Sequence, residues 1–172
     1  MRKLLLLVSV FILYTQVSWI FADNLLRDQQ PQEIAIVPEF SLPILDNAEV
    51  TIDRSDLAGQ NIRIVNFFAS WCAPCKIEHP LLMDLADQNI NILGIDYRDS
   101  PERAKQFLRD RGNPFHLTAI DQKGETGANW GFSSIPQTFV IDNQGRVLFH
   151  QVGRLNPDVI ERSILPLLAK QD

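Results

Sequence analysis

The stretch "NFFASWCAPCKIEHP", residues 66–80, holds both cysteines of the chain, Cys72 and Cys75, two residues apart. The run that leads into it, "IRIVNFFA" (62–69), is almost continuously apolar, the pattern of a strand buried on both faces. Beyond it, Leu81, Leu82, Leu85 and Ala86 mark one face of a helix. The cysteines therefore fall where a strand turns into a helix. Pro74 is tolerated there because first-turn amides have no intrahelical partner. Cys72 stands at or just before the helix N-terminus, where unpaired N–H groups and the macrodipole favour an anion. Such placement lowers a thiol pKa, commonly to about 3.5–7.5 from about 8.5. Cys75 faces it from inside the first turn, placed to attack a mixed disulfide and release the partner.

Two other uses of the pair compete with redox chemistry. A structural disulfide across two residues closes a very short loop, and stabilisation in the entropy model grows with loop length. Zinc needs about four ligands. Cys72, Cys75 and His79 could supply three, but the chain has no second cysteine pair, and His116 and His150 lie in strand-like patterns. The spacing favours redox and leaves the other two open.

Outward from the motif, "EFSLPILDNAEVTID" (39–53) reads as a β-hairpin turning at Asp46–Asn47, and "DRSDLAGQ" (53–60) as one helical turn closed by Gly59. "INILGIDY" (90–97) is a second buried strand. Ser100 and Pro101 cap and open a helix that Gly112 ends. "FHLTAID" (115–121) is a third strand, "GETGANWGF" (124–132) a short helix or turn, and "QTFVIDNQGRVLFHQVG" (137–153) a hairpin. Asn156 and Pro157 start a last helix. This order predicts an α/β layer fold around a central mixed sheet.

The chain has 172 residues, 45% hydrophobic and 22% charged, which suits one domain plus an extra segment. Its net charge of −5 and scattered Lys and Arg argue against a nucleic-acid partner, which needs clustered cations. The extra segment, residues 1–22, opens with Arg2 and Lys3 and then carries no charge from Leu4 to Ala22. That length is close to the roughly 20 residues a helix needs to cross a bilayer. It exceeds the roughly 7–15 of a signal peptide core, and Ile20 is bulky for a cleavage site. A transmembrane anchor is favoured over a cleaved signal. Either way the positive-inside rule keeps Arg2 and Lys3 in the cytoplasm and places the rest outside, where thiols meet an oxidising system. Residues 23–37 read as a linker, and residues 38–172 as the globular domain.

A second signal is "SSIPQTF" (133–139). Ile135–Pro136 directly precedes a strand, and a cis X-Pro bond there would expose the Ile135 backbone to an extended substrate beside the thiols. An ordinary trans proline at a strand start is the alternative.

"WCAPC" after a buried strand, with "IPQTFVIDNQGRV" following, resembles the thioredoxin superfamily. "PEFSLP", "VNFFASWCAPCKIEHP", "LGIDYRDSPERAKQFLRDRGNPF" and "WGFSSIPQTFVIDNQGRVLFHQVGRLNP" narrow the resemblance to the DsbE/CcmG family of cytochrome c biogenesis. The resemblance implies a thioredoxin-like three-layer fold. It adds an N-terminal β-hairpin, fitting Glu39–Asp53, and a strand–helix insertion, fitting Ile90–Asn113. It further implies a cis Pro136, Cys72 as the attacking and Cys75 as the resolving thiol. Ile135 and Pro136 then position the substrate, and Trp71, just before Cys72, reads as a substrate-side apolar lid packed over the site, with simple core packing as the alternative. The redox-active Cys72–Cys75 disulfide would serve without any cofactor or metal.

The implied activity is thiol:disulfide exchange as a periplasmic reductant. It would keep the haem-attachment CxxCH thiols of apocytochrome c, or a related maturation intermediate, reduced. A DsbD/CcdA-type protein of the inner membrane would return the electrons, and a monomer is expected. A general exchanger of the TlpA/ResA type and a non-catalytic thiol- or metal-binding module are the rival readings. Asn66 lies where general thioredoxins carry a buried Asp, and this family often has Asn. Glu78 matches a family acid just beyond the CxxC. Its carboxylate would disfavour thiolate by like-charge repulsion and tune the potential; a solvated helix carboxylate is the simpler reading. Gln137 departs from the Glu that the family frequently carries after the cis-Pro.

Overall fold

The computed structural model describes residues 36–169. The anchor expected at residues 1–22 and nearly all of the linker lie outside the described residues; among these, no helix is long and apolar enough to cross a membrane. Ile36 and Val37, placed by sequence in the linker, already belong to the domain's edge. Ile36 bridges to Arg146, and the buried Val37 donates its N–H to Gly145 O at 2.9 Å.

A small hairpin, β1 (Ser41–Pro43) and β2 (Thr51–Asp53), pairs antiparallel and leads to a single helical turn, α1 (Asp56–Gly59). That turn is closed by Asn61, at φ +46°, and not by Gly59. Asn tolerates the left-handed region because its short polar side chain bonds locally. Next come β3 (Ile64–Phe68), α2 (Ala73–Ala86), β4 (Ile92–Tyr97), α3 (Pro101–Arg111), β5 (Leu117–Asp121) and α4 (Glu125–Asn129). The hairpin β6 (Gln137–Ile141) and β7 (Val147–Val152) follows. The described residues end in α5 (Pro157–Val159), a π-helical segment (Ile160–Ile164) and α6 (Leu165–Leu168). Pro166 cannot donate an amide and its ring crowds the preceding turn, which is a physical reason for the wider π turn just before it.

The five-stranded sheet runs β5-β4-β3-β6-β7, parallel from β5 to β3 and antiparallel through β6 and β7. This is the thioredoxin-like α/β fold with a mixed central sheet expected from sequence. The outer strand of the α3–β5 unit is β5, whereas β4 is an inner strand.

Because side chains alternate along a strand, β3 feeds two cores. Ile64 and Phe68 pack with Leu82 and Leu85 of α2, Phe107 of α3, and Ile160 and Ile164. Val65 and Phe67 pack with Phe40, Leu42 and Ile52 of the hairpin and with Trp130 and Phe139. Phe67 meets Trp130 edge-on at 5.2 Å and Phe132 at 4.7 Å between centroids. Such pairs contribute about 0.5–1.5 kcal/mol each beyond burial. Gly94 on β4 is needed for packing: a Cβ there would lie 2.6 Å from the Phe115 ring. The two capped helix starts expected from sequence form. Ser100 Oγ accepts from Arg103 N at 3.4 Å, and Asn156 Oδ1 from Val159 N at 3.0 Å. Gly112 ends α3 at φ +87°.

Candidate active site

Cys72 is the N-cap of α2, in extended conformation, and its Sγ accepts the N–H of Cys75 at 3.2 Å. Cys75 sits inside the first turn. The two are joined in a disulfide with Cα atoms 5.3 Å apart. Both residues are buried, Cys72 at 3% and Cys75 at 2% exposure, so overall exposure does not separate an outer from an inner thiol. Their surroundings differ. Cys72 Sγ lies 3.9 Å from Ile135 O on the neighbouring loop, whose Ile135–Pro136 bond is cis, as the resemblance implies. Cys75 shares a helix face with Glu78, one turn further on.

Glu78 is no solvated helix residue; it is 1% exposed. Its Oε2 accepts the backbone N–H of Leu155 at 2.7 Å, and its Oε1 the Asn66 side-chain amide at 3.0 Å. Asn66 Nδ2 also donates to Thr138 Oγ1 at 3.0 Å. Asn66 points from β3 toward α2 because it occupies the same face as Ile64 and Phe68. Burial pushes the Glu78 carboxyl up to about 7, against the pull of Leu155 N–H, the Asn66 amide and the Arg154 charge. A carboxyl that exchanges its proton near neutral pH therefore sits one helical turn beyond Cys75. Thr138 and Leu155 carried no signal in the sequence. One contributes a hydroxyl and the other only a backbone N–H, 77 positions away from Glu78.

Trp71 is neither core nor a closed lid. It is 51% exposed, and its indole N–H donates to Arg98 O at 3.1 Å. Ser70 N donates to Asp99 Oδ2 at 2.7 Å, so the β4–α3 turn holds the segment just ahead of Cys72 at two points. Asp99 also accepts from Ser100 N and Arg103 Nε. His79 turns away from the cysteines: its Nε2 meets Gly112 O at 3.0 Å and its ring packs edge-on against Phe107. Among the described residues no three His, Cys, Asp or Glu side chains gather to hold a metal ion.

A CxxC pair capping a helix beside a cis-proline loop, on this sheet, defines a thioredoxin-like thiol:disulfide oxidoreductase. The family model described as AhpC/TSA family matches residues 35–150. The thiol:disulfide interchange protein HelX of Rhodobacter capsulatus is 43% identical over 122 residues, 71% of this chain and 69% of that protein. The thiol:disulfide interchange protein DsbE of Escherichia coli K12 is 36% identical over 134 residues, 78% and 72% of the two chains. A solved structure from Chlorobium tepidum, assigned as a DsbE, superposes with a TM-score of 0.65 at 25% identity, covering 83% of this chain and all of that one. The chain belongs to the DsbE family of thiol:disulfide interchange proteins, within the broader AhpC/TSA family.

Proposed function

We propose that this protein is a membrane-anchored periplasmic reductant of cytochrome c maturation, with the Cys72–Cys75 pair as its only redox group. In the reduced form the Cys72 thiolate attacks a substrate disulfide, forming a mixed disulfide and expelling one substrate thiolate, which takes a proton. Cys75, deprotonated, attacks Cys72 Sγ, closes the enzyme disulfide and expels the second substrate thiol. Two electrons and two protons pass to the substrate, and a dithiol of a membrane reductant restores the pair. Trp71, Ile135 and Pro136 position the substrate segment at Cys72.

The observation that carries the direction is the buried Glu78 carboxyl. A strong oxidant of this class owes its potential to a stabilised reduced form. A carboxylate behind Cys75 acts the other way: it disfavours thiolate and so makes the pair more reducing. Glu78→Gln keeps the shape and removes the charge. Its potential, measured against glutathione at pH 8, should move to the less reducing side by on the order of 15–30 mV, where 30 mV is about 1.4 kcal/mol. The inflection near pH 7 in the rate of thiol alkylation should disappear. An unchanged potential and pH profile would remove Glu78 from the mechanism.

Partner identity is tested by Cys75→Ser. Without the resolving thiol, the variant expressed in bacterial envelopes should accumulate a mixed disulfide through Cys72. An apocytochrome with a CxxCH site, or a haem-handling protein, is the expected captive. Capture of unrelated exported proteins alone would replace this reading with a general exchanger.

A further inference from the structure

Gln137 follows the cis-proline, and both polar ends of its side chain are engaged. Its Nε2 donates to Ser134 O at 2.8 Å, and its Oε1 lies 2.8 Å from His150 Nε2. A carbonyl only accepts, so the amide orientation is fixed by Ser134, and Oε1 must then accept. His150 consequently carries its proton on Nε2. The His150 ring is itself locked: it stacks on Phe139, its direct cross-strand partner, at 4.0 Å and 10°. Gln137, two residues from Phe139 on β6, lies on the same sheet face, within diagonal reach of His150 on β7. Burial lowers the His150 pKa, which keeps the ring neutral at neutral pH.

We infer that Gln137 and His150 form a neutral clamp that positions the Ser133–Pro136 loop to receive the substrate segment beside Cys72. The loop carries Ile135 O, 3.9 Å from Cys72 Sγ, so any movement of Ser134 is felt at the reacting sulfur. Its far side is held separately, by Gly153 N on Pro136 O at 3.0 Å. An amide suits this place because it donates to Ser134 and accepts from His150 at once. A carboxylate could only accept, would repel Ser134 O, and would draw a proton onto His150. The same groove, lined by Phe132, Ser133, Ser134, Gln137, His150 and Val152, is therefore uncharged at neutral pH, leaving the Glu78 carboxyl to act on the thiols without a second acid.

This inference rests on the reductase reading, and its test separates the two. The full-length protein, reduced, is assayed with a disulfide-bonded CxxC peptide and with hydroxyethyl disulfide, too small to span the loop. Gln137→Leu should raise the peptide KM about five- to tenfold, the size of one lost hydrogen bond, with kcat within about twofold. The loss on the peptide should exceed that on hydroxyethyl disulfide by at least about fivefold. His150→Phe keeps the stacked ring but not the bond and should shift KM in the same direction by a smaller factor. Gln137→Glu should raise the His150 pKa, read by NMR, yet leave the peptide KM high. Equal losses on both substrates, an unchanged peptide KM in Gln137→Leu, or a wild-type KM in Gln137→Glu would each overturn the clamp. A wild-type protein inert toward both substrates would overturn the redox reading itself, and the clamp with it.

Discussion

Replacing Cys72 by serine should lower disulfide exchange by at least about three orders of magnitude, because a hydroxyl cannot supply the thiolate that attacks a disulfide sulfur. The asymmetry with Cys75 is the informative part. Cys72 caps α2, receives the Cys75 N–H, and is the sulfur that faces Ile135 O, whereas Cys75 lies within the first turn on the face of Glu78. Cys72→Ser should therefore yield neither turnover nor a trapped intermediate. Cys75→Ser should complete the first attack at close to the wild-type rate and stop there. Rapid quenching with an alkylating reagent followed by mass measurement distinguishes the two. A mixed disulfide formed through Cys75 in the Cys72→Ser protein would reverse the assigned roles.

Asp96→Asn should strongly stabilise the protein in mild alkali and change little in acid. Asp96 lies on β4 opposite Phe68 and is fully buried, with neither carboxyl oxygen hydrogen-bonded among the described residues. Burial first, and the like charge of Asp99 second, push its carboxyl up to about 8, against the pull of Arg103. The folded protein therefore holds a proton that the unfolded chain, with a value of 3.8, has released. Below that value both states are protonated and the folded state has its full stability. Stability then falls as pH rises toward 8, at about 1.4 kcal/mol per pH unit. The variant lacks that slope, so its advantage at pH 8 should reach on the order of 4 kcal/mol, with a rise in Tm of about 10 °C. Asn also lacks partners at this site, so the pH slope carries the test more than the absolute stability. Urea unfolding at pH 4, 6 and 8 measures it. An advantage that stays constant across that range would mean Asp96 does not titrate as burial requires. Glu78 adds a slope of the same sign between about 4.5 and 7 in both proteins.

Much of this is legible in the sequence. The continuous apolar runs of β3 and β4, the capping Ser100 and Asn156, and the strand-to-helix placement of the cysteines are local features, and local chemistry decides them. What sequence could not convey were pairings across the sheet and across layers. Asp96 hides inside "INILGIDY", where an acidic letter in a mostly apolar run does not say which face it takes. Glu78 reads equally as a surface helix residue until Leu155 N–H and Asn66 close over it. His150 reads as a satisfied or surface histidine; only the register of β6 with β7 brings it to Gln137. Asn61 took over a turn assigned to Gly59 because the left-handed residue is selected by where the turn ends, two positions beyond the glycine.

The β1–β2 hairpin does more than cover one face of the sheet. Past β1, Ile44 bridges to Ala119 and Leu45 N donates to Thr118 O at 2.8 Å, laying chain along the free side of β5. An uncovered edge strand offers a row of unsatisfied amides and carbonyls to any passing extended polypeptide. Here that row is blocked on one border of the sheet, while on the opposite border, β7, the bridge among the described residues is Ile36 with Arg146, just before the strand begins. A thiol:disulfide oxidoreductase is thereby shielded from indiscriminate strand addition on the border farthest from its cis-proline loop.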